Sequence, residues 1–223
     1  SPATPPIVVE ICGKPRDNPL AKNVEWIAER KGLEERISNQ INIHEVILSS
    51  ASIDINDQPL SQVVEGTQTN VFVVTKDGVV RTAGDGVLEG SIRKMVIEEC
   101  KTRDIPLDMS SPPEIATMNE WNEMFLTSTS RLVLPVDQVI VNTDSEAYPA
   151  ALRAVASSRN ENIAGTIMNN RDKSIVHTFE STKRPITDQL VTGVQMALLK
   201  ESVDVVKLSK DALRKKIRKR LRN

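Results

Sequence analysis

Residues 65–72 read Glu65-Gly66-Thr67-Gln68-Thr69-Asn70-Val71-Phe72. An apolar pair, Val63-Val64, runs into the acid, a short polar turn containing glycine follows, and a second apolar run spans Asn70 to Thr75. This is the layout of two strands joined by a turn. Lys76-Asp77-Gly78 then leads to a further strand over Val79 to Thr82, and Asp-Gly tolerates the positive φ that a tight hairpin needs. Upstream, Ile41, Ile43, Val46, Ile47 and Leu48 predict one more strand, and Val24, Ile27, Ala28, Leu33 and Ile37 predict a helix over about 23–37. Residues 1–21 read as a Pro-rich arm carrying the short apolar run Ile7-Val8-Val9.

Downstream, Gly84-Asp85-Gly86 opens into Val87-Leu88-Glu89-Gly90 and a helix to about Arg103, with Ile92, Val96 and Ile97 at apolar positions. Pro106 ends it and 105–107 begins an extended piece. Strands follow at 124–126 and 132–141, a helix at 146–157, and short strands at 163–168 and 174–177. Pro185 stands where a first helical residue belongs, before the pattern Leu190, Val194, Ala197, Leu198 over 187–201. Strands clustered early, with helices interspersed irregularly, predict an α+β chain rather than a doubly wound one.

Composition bounds the function. Hydrophobic residues at 39% and charged residues at 26% of 223 describe an ordinary globular chain. Aromatics number six, too few for a base-stacking platform. Runs such as Val71 to Val74 are too short to cross a bilayer. Cys12 and Cys100, with His44 and His177, leave no complete set of ligands for a structural metal and no disulfide framework. Ser1-Pro2-Ala3-Thr4-Pro5-Pro6 lacks a charged n-region and an apolar h-region, so no secretory signal is expected. A start of this kind fits the end left by removal of a mitochondrial or plastid transit peptide, or else a cytoplasmic chain, and two unpaired cysteines fit any reducing compartment.

The net charge of −1 is a sum of opposites. Lys207 to Asn223 holds nine basic residues and one acid, Asp211; the 20 basic and 29 acidic residues before it leave the body at −9. Val206, Leu208, Leu213, Ile217 and Leu221 punctuate this tail at roughly helical spacing, predicting a basic amphipathic helix over 204–223. Such a helix either packs on its own domain or contacts RNA, anionic lipid or an acidic partner protein through Lys207 to Arg222.

Walker A, His-Glu-x-x-His and Gly-x-Ser-x-Gly patterns are absent, and Gly84, Gly86 and Gly90 miss the dinucleotide fingerprint by one residue. Three segments in register are more informative: Glu65 to Phe72 with Asp77-Gly78 and Arg81-Thr82; Val87-Leu88-Glu89-Gly90-Ser91-Ile92-Arg93; and Glu123-Met124-Phe125-Leu126-Thr127-Ser128-Thr129 with Pro135-Val136. Their order and spacing resemble the class IV aminotransferases, the fold-type IV pyridoxal phosphate (PLP) enzymes that include branched-chain and D-amino-acid aminotransferases and aminodeoxychorismate lyase. The resemblance runs from about Gly13 to Leu199, includes Arg184-Pro185-Ile186-Thr187, and is nearest to a plant-type subgroup through Ala21-Lys22-Asn23-Val24-Glu25-Trp26.

The resemblance implies a large domain over 22–203 with a barrel-like mixed sheet and flanking helices. It implies a lysine that joins PLP as a Schiff base, with Lys22 preferred and Lys31 the alternative. It places Glu65 at the pyridine nitrogen, with Asn70 beside it. Gly90, Ser91 and Ile92 offer N–H groups at a helix N-terminus to the phosphate, and Ser128 and Thr129 add donors. A solvated surface role is the alternative for either lysine and for Glu65, and a helix cap for Ser91. Ile92 stands where many members have Thr, and Ser128 where Gly is common. Members also carry a small N-terminal domain before the lysine, whereas 21 residues precede Lys22 in this sequence. Two functions are therefore expected: a PLP-dependent aminotransferase or lyase acting on amino or keto acids, or a non-catalytic subunit of a larger assembly. An RNA-associated role through the tail is a third.

Overall fold

The computed structural model describes residues 6–16, 25–39, 43–158, 166–169, 171–180 and 182–220, the last of these by backbone alone from 203 onward. The strands are β1 Val8–Ile11, β2 Glu45–Ser50, β3 Gln62–Gly66, β4 Asn70–Thr75, β5 Val80–Arg81, β6 Leu107–Asp108, β7 Trp121–Ser128, β8 Leu132–Pro135, β9 Gln138–Val141, β10 Thr166–Met168 and β11 Ile175–Thr178. The helices are α1 Glu25–Glu29, α2 Lys31–Asn39, α3 Ser91–Thr102, α4 Tyr148–Ser157 and α5 Pro185–Arg220, with a 3₁₀ segment at Ile115–Glu120. The described strands form one mixed sheet in the order β10-β11-β9-β1-β2-β3-β4-β5-β6. β3 and β5 share one edge of β4 while β7, backed by β8, takes the other.

Alternation along β4 and β7 divides the core between the two faces of the sheet. Val71, Val73, Met124 and Leu126 pack with α4 and the 3₁₀ segment on one face. Phe72, Val74 and Phe125 pack with α3 and α5 on the other. Phe72 and Phe125 are cross-strand partners whose rings stack at 4.9 Å. The β4–β5 connection is the expected hairpin: Thr75 N–H bonds Val79 O at 3.0 Å and Gly78 adopts φ +84°.

Four expectations need correction. Residues 8–11 are not part of an arm. They form β1, pairing in parallel with β2 on one side and β9 on the other, and all four are buried. A continuous run of this kind is what a strand covered on both faces needs. Its one acid, Glu10, is fully buried because Arg36 of α2 (Nε at 2.9 and 3.0 Å, Nη2 at 2.8 Å) and Asn142 (2.6 Å) satisfy it. The helix expected over 23–37 divides at Arg30 into α1 and α2. The strand expected over 132–141 turns between Pro135 and Gln138 into β8 and β9, which lie in different parts of the sheet. Instead of a separate tail helix, α5 runs unbroken from Pro185 to Arg220. Neither glycine nor proline interrupts the sequence after Gly193, so no local signal stops the helix. Among the described residues no helix is long and apolar enough to cross a membrane.

Candidate functional site

The site grows from the turn quoted first. Gly66 N–H bonds Thr69 O at 2.8 Å, closing the β3–β4 turn, and this sets Glu65 directly across from Asn70. Both are then held by the segment that precedes α3. Leu88 N–H donates to Glu65 Oε2 at 3.1 Å, and Asn70 Nδ2 donates to Leu88 O at 2.7 Å. Glu65 is 2% exposed, and its Oε1 accepts Arg16 Nε at 2.7 Å and Nη2 at 2.6 Å. Burial pushes the Glu65 carboxyl above the ordinary range, opposed by the Leu88 N–H and by Arg16. Arg16 in turn lies 5.3 Å from the centre of the Trp26 ring, whose Nε1 donates to Thr67 O at 3.1 Å.

The second component is the start of α3. Gly90 is its N-cap residue, extended at φ −64° and ψ 145°, and no side chain caps the helix. The first intrahelical bond runs from Lys94 N–H to Gly90 O at 3.0 Å. The N–H groups of Ser91, Ile92 and Arg93 therefore point out of the helix end without an intrahelical acceptor, where the helix dipole favours an anion. Ser91 is the first helical residue, which excludes the capping role. A side chain at Gly90 would bring its Cβ within 2.5 Å of Asn70 Oδ1, so this close approach needs glycine.

The third component is the end of β7. Ser128 Oγ is 3.3 Å from Ser130 Oγ and accepts Arg131 N–H at 3.2 Å, so it is engaged in its own turn. Thr127 is 2% exposed and its hydroxyl has no hydrogen-bond partner; the same holds for Thr69, 6% exposed. An unpaired buried hydroxyl costs on the order of 1–3 kcal/mol.

These components surround one cavity of about 520 Å³, the size of a small-molecule site. Glu65, Asn70, Gly90, Ser91, Ile92, Ser128 and Thr129, separated by up to 64 positions in the chain, all line it. Lys22 lies outside the described residues. Lys31 is exposed at the start of α2 and does not line the cavity, whereas its neighbour Arg30 does.

Sequence reasoning passed over Arg16, Trp26, Thr69, Arg93 and Thr127, which also line the cavity. The signal for Thr127 was available: strand alternation sets it on the face of Phe125, toward α3, unlike Leu126. Arg93 is 4% exposed, donates from Nη2 to Ala83 O at 2.7 Å, and leaves Nε unpartnered. The donor set (guanidinium groups, free hydroxyls and an open helix end) suits an anion, and a carboxylate with roughly four acceptor positions can take one more donor beside Arg16 and Leu88. These residues fit a ligand that joins a phosphate to a protonatable ring nitrogen.

Comparison with known proteins follows the same lines. The amino-transferase class IV family matches residues 56–139, the span from before β3 to β9. A candidate 4-amino-4-deoxychorismate lyase of Legionella pneumophila superposes with a TM-score of 0.56 at 15% identity, covering 88% of this chain and 57% of its own. The branched-chain aminotransferase of Thermoproteus uzoniensis, solved with norvaline, gives 0.53 at 18% identity, covering 85% and 50%. A hypothetical aminotransferase of Mycobacterium tuberculosis in its PLP-bound form gives 0.53 at 13% identity, covering 87% and 55%. The chain thus spans between 50% and 57% of the length of these structures. No curated protein sequence gives a significant match. By sequence over 56–139 and by fold across the described sheet, the chain is similar to the amino-transferase class IV family, with mixed sheet and flanking helices in common.

Proposed function

We propose that the cavity is a PLP site and that the protein handles amino or keto acids in the manner of a class IV aminotransferase. The observation that carries this reading is the unpaired, buried Thr127 hydroxyl, in the cross-strand row of Glu65, Asn70 and Thr127 that lines one cavity with the uncapped start of α3. When bound, PLP supplies an electron sink for the substrate's α-carbon. Toward its phosphate, the Ser91, Ile92 and Arg93 N–H groups and the Thr127 and Thr129 hydroxyls would donate, and Arg93 would add charge. Glu65 would accept a proton-bearing ring nitrogen, favouring the protonated ring. Asn70 holds Leu88 and keeps Glu65 and the α3 start in fixed relation. Lys22 is the proposed amine, supported by its local sequence pattern. A non-catalytic assembly role draws on one observation, that Arg16 already engages Glu65 Oε1 through two N–H groups.

Titration of the purified protein with PLP tests the reading, followed by visible absorbance and by Trp26 fluorescence. A saturable band that persists in Lys31→Ala and is lost in Lys22→Ala supports it. A protein that shows no saturable band beyond that of free PLP, and is colourless after free PLP is removed, would overturn it in favour of the assembly role.

A further inference from the structure

We propose that the outer part of α5 is one half of a coiled coil whose other half is an acidic amphipathic helix of a different protein. This inference does not depend on the cavity or its ligand.

Two apolar stripes can be read along the sequence of α5, and the inner one packs on the domain from Leu190 to Leu198. Leu190 and Val194 are fully buried and Leu198 packs beside them against the α3 face of the sheet. That stripe ends at Glu201, which is exposed. Met196, about 200° round the helix from Val194, is 64% exposed, and Leu199 is 65% exposed. From these two residues the sequence continues a heptad. With Met196 at position a, the a and d positions are Met196, Leu199, Val203, Val206, Lys210, Leu213 and Ile217, apolar at all but Lys210. Three heptads of this period on an unbroken helix are the pattern of a coiled-coil seam. Val205 at position c and Leu208 at position f fall outside it.

The flanking positions select the partner. Position e is Lys200, Lys207 and Arg214, and position g is Ser202, Ser209 and Lys216; no acid occupies either. A second copy in parallel would set Lys210 against its equivalent, and an antiparallel copy would set the basic e positions against one another. Like charges at these positions oppose pairing. A helix with Glu or Asp at e and g, and an acid opposite Lys210, meets Lys200, Lys207, Arg214, Lys216 and Lys210 with opposite charge. A membrane surface asks for a broader apolar face with aromatic or leucine residues, not a narrow seam holding a lysine. RNA makes no use of an apolar seam, and residues 187–223 contain no aromatic residue to stack on bases.

The test uses the full chain and a labelled designed peptide with Ile at a, Leu at d, Glu at e and g, and Glu opposite Lys210. Fluorescence anisotropy should show saturable binding, absent for the same peptide with Lys in place of Glu. Arg214→Glu and Lys215→Glu make the same charge change one residue apart, at e and at f. The first should weaken binding about tenfold or more and the second by less than about twofold. Circular dichroism melts of both variants establish that α5 still folds. Equal weakening by the two variants would mean diffuse attraction, as to RNA or anionic vesicles, and would overturn the proposal. So would failure of the acidic peptide to bind, or a tail-dependent dimer of the chain alone in sedimentation.

Discussion

Arg16 and Glu65, 49 residues apart in the chain, form a buried ion pair in which two guanidinium N–H groups converge on one carboxylate oxygen at 2.6 and 2.7 Å. The side chains are 8% and 2% exposed, so solvent does little to weaken the pair. Both residues line the cavity, and the Arg16 guanidinium lies over the Trp26 ring.

Arg16→Met leaves Glu65 buried without its cation, which costs about 3–5 kcal/mol. For a chain of this size each kcal/mol is about 2–4 °C in Tm, so the melt should fall by roughly 6–20 °C. Arg16→Met/Glu65→Leu removes both charges and should recover most of that loss. Thermal melts of the single and double variants check this; a double variant no more stable than the single one would show that the pair is not coupled.

Thr127→Val exchanges the unpaired hydroxyl for a methyl group of similar shape. Relief of the buried donor should raise stability by about 1 kcal/mol, within the usual cost of such an orphan. The same substitution should weaken PLP or inorganic phosphate binding by about fivefold or more, since the hydroxyl is proposed to meet the phosphate. Melting in the absence of ligand, paired with titration of Trp26 fluorescence, separates the two effects.

His177 is a pH probe of the fold. It is 2% exposed, with Nδ1 2.8 Å from Thr166 Oγ1 and Nε2 3.2 Å from Trp121 O. The neutral ring meets both by donating from Nε2 to the carbonyl and accepting the Thr166 hydroxyl at Nδ1. Burial first, and Lys76 to a lesser degree, lower its pKa from 6.5 to about 4, against the Trp121 carbonyl. Because the folded value is depressed, the unfolded chain takes up the proton first as pH falls. The contribution is fully present above pH 6.5 and is lost between 6.5 and about 4, on the order of 3 kcal/mol. Urea melts across that window should show a slope that His177→Gln flattens, whatever its effect at neutral pH.

Glu123 is fully buried in β7 and accepts the N–H groups of Ile186 and Thr187 at 3.3 and 2.7 Å, capping α5 from the sheet. Glu123→Ala should cost about 2 kcal/mol, the upper end for a lost cap, because those N–H groups are then buried without acceptors. Hydrogen exchange should speed up at 186–188 first while β1 and β2 amides stay protected.

How far the sequence reached can be judged residue by residue. Local chemistry settled the Asn70 to Thr75 strand, the Asp77-Gly78 hairpin and the start of a helix at Ser91, because each is governed by backbone preferences within a few residues. Thr127 was passed over because a strand's alternation says which face a residue occupies, not whether its hydroxyl finds a partner. Lys22 lies outside the described residues, so the role read for it rests on sequence pattern alone.

By itself the sequence determined a turn between Glu65 and Asn70, a helix beginning about Gly90-Ser91, and the charge contrast between body and tail. Those features depend on neighbours in the chain. The tertiary structure alone decided that Val8–Ile11 is a central strand, that Arg36 meets Glu10, and that Arg16 closes on Glu65. Pairing energies of this kind depend on which groups the fold brings together out of water, and an apolar run or a single arginine carries no record of its distant partner.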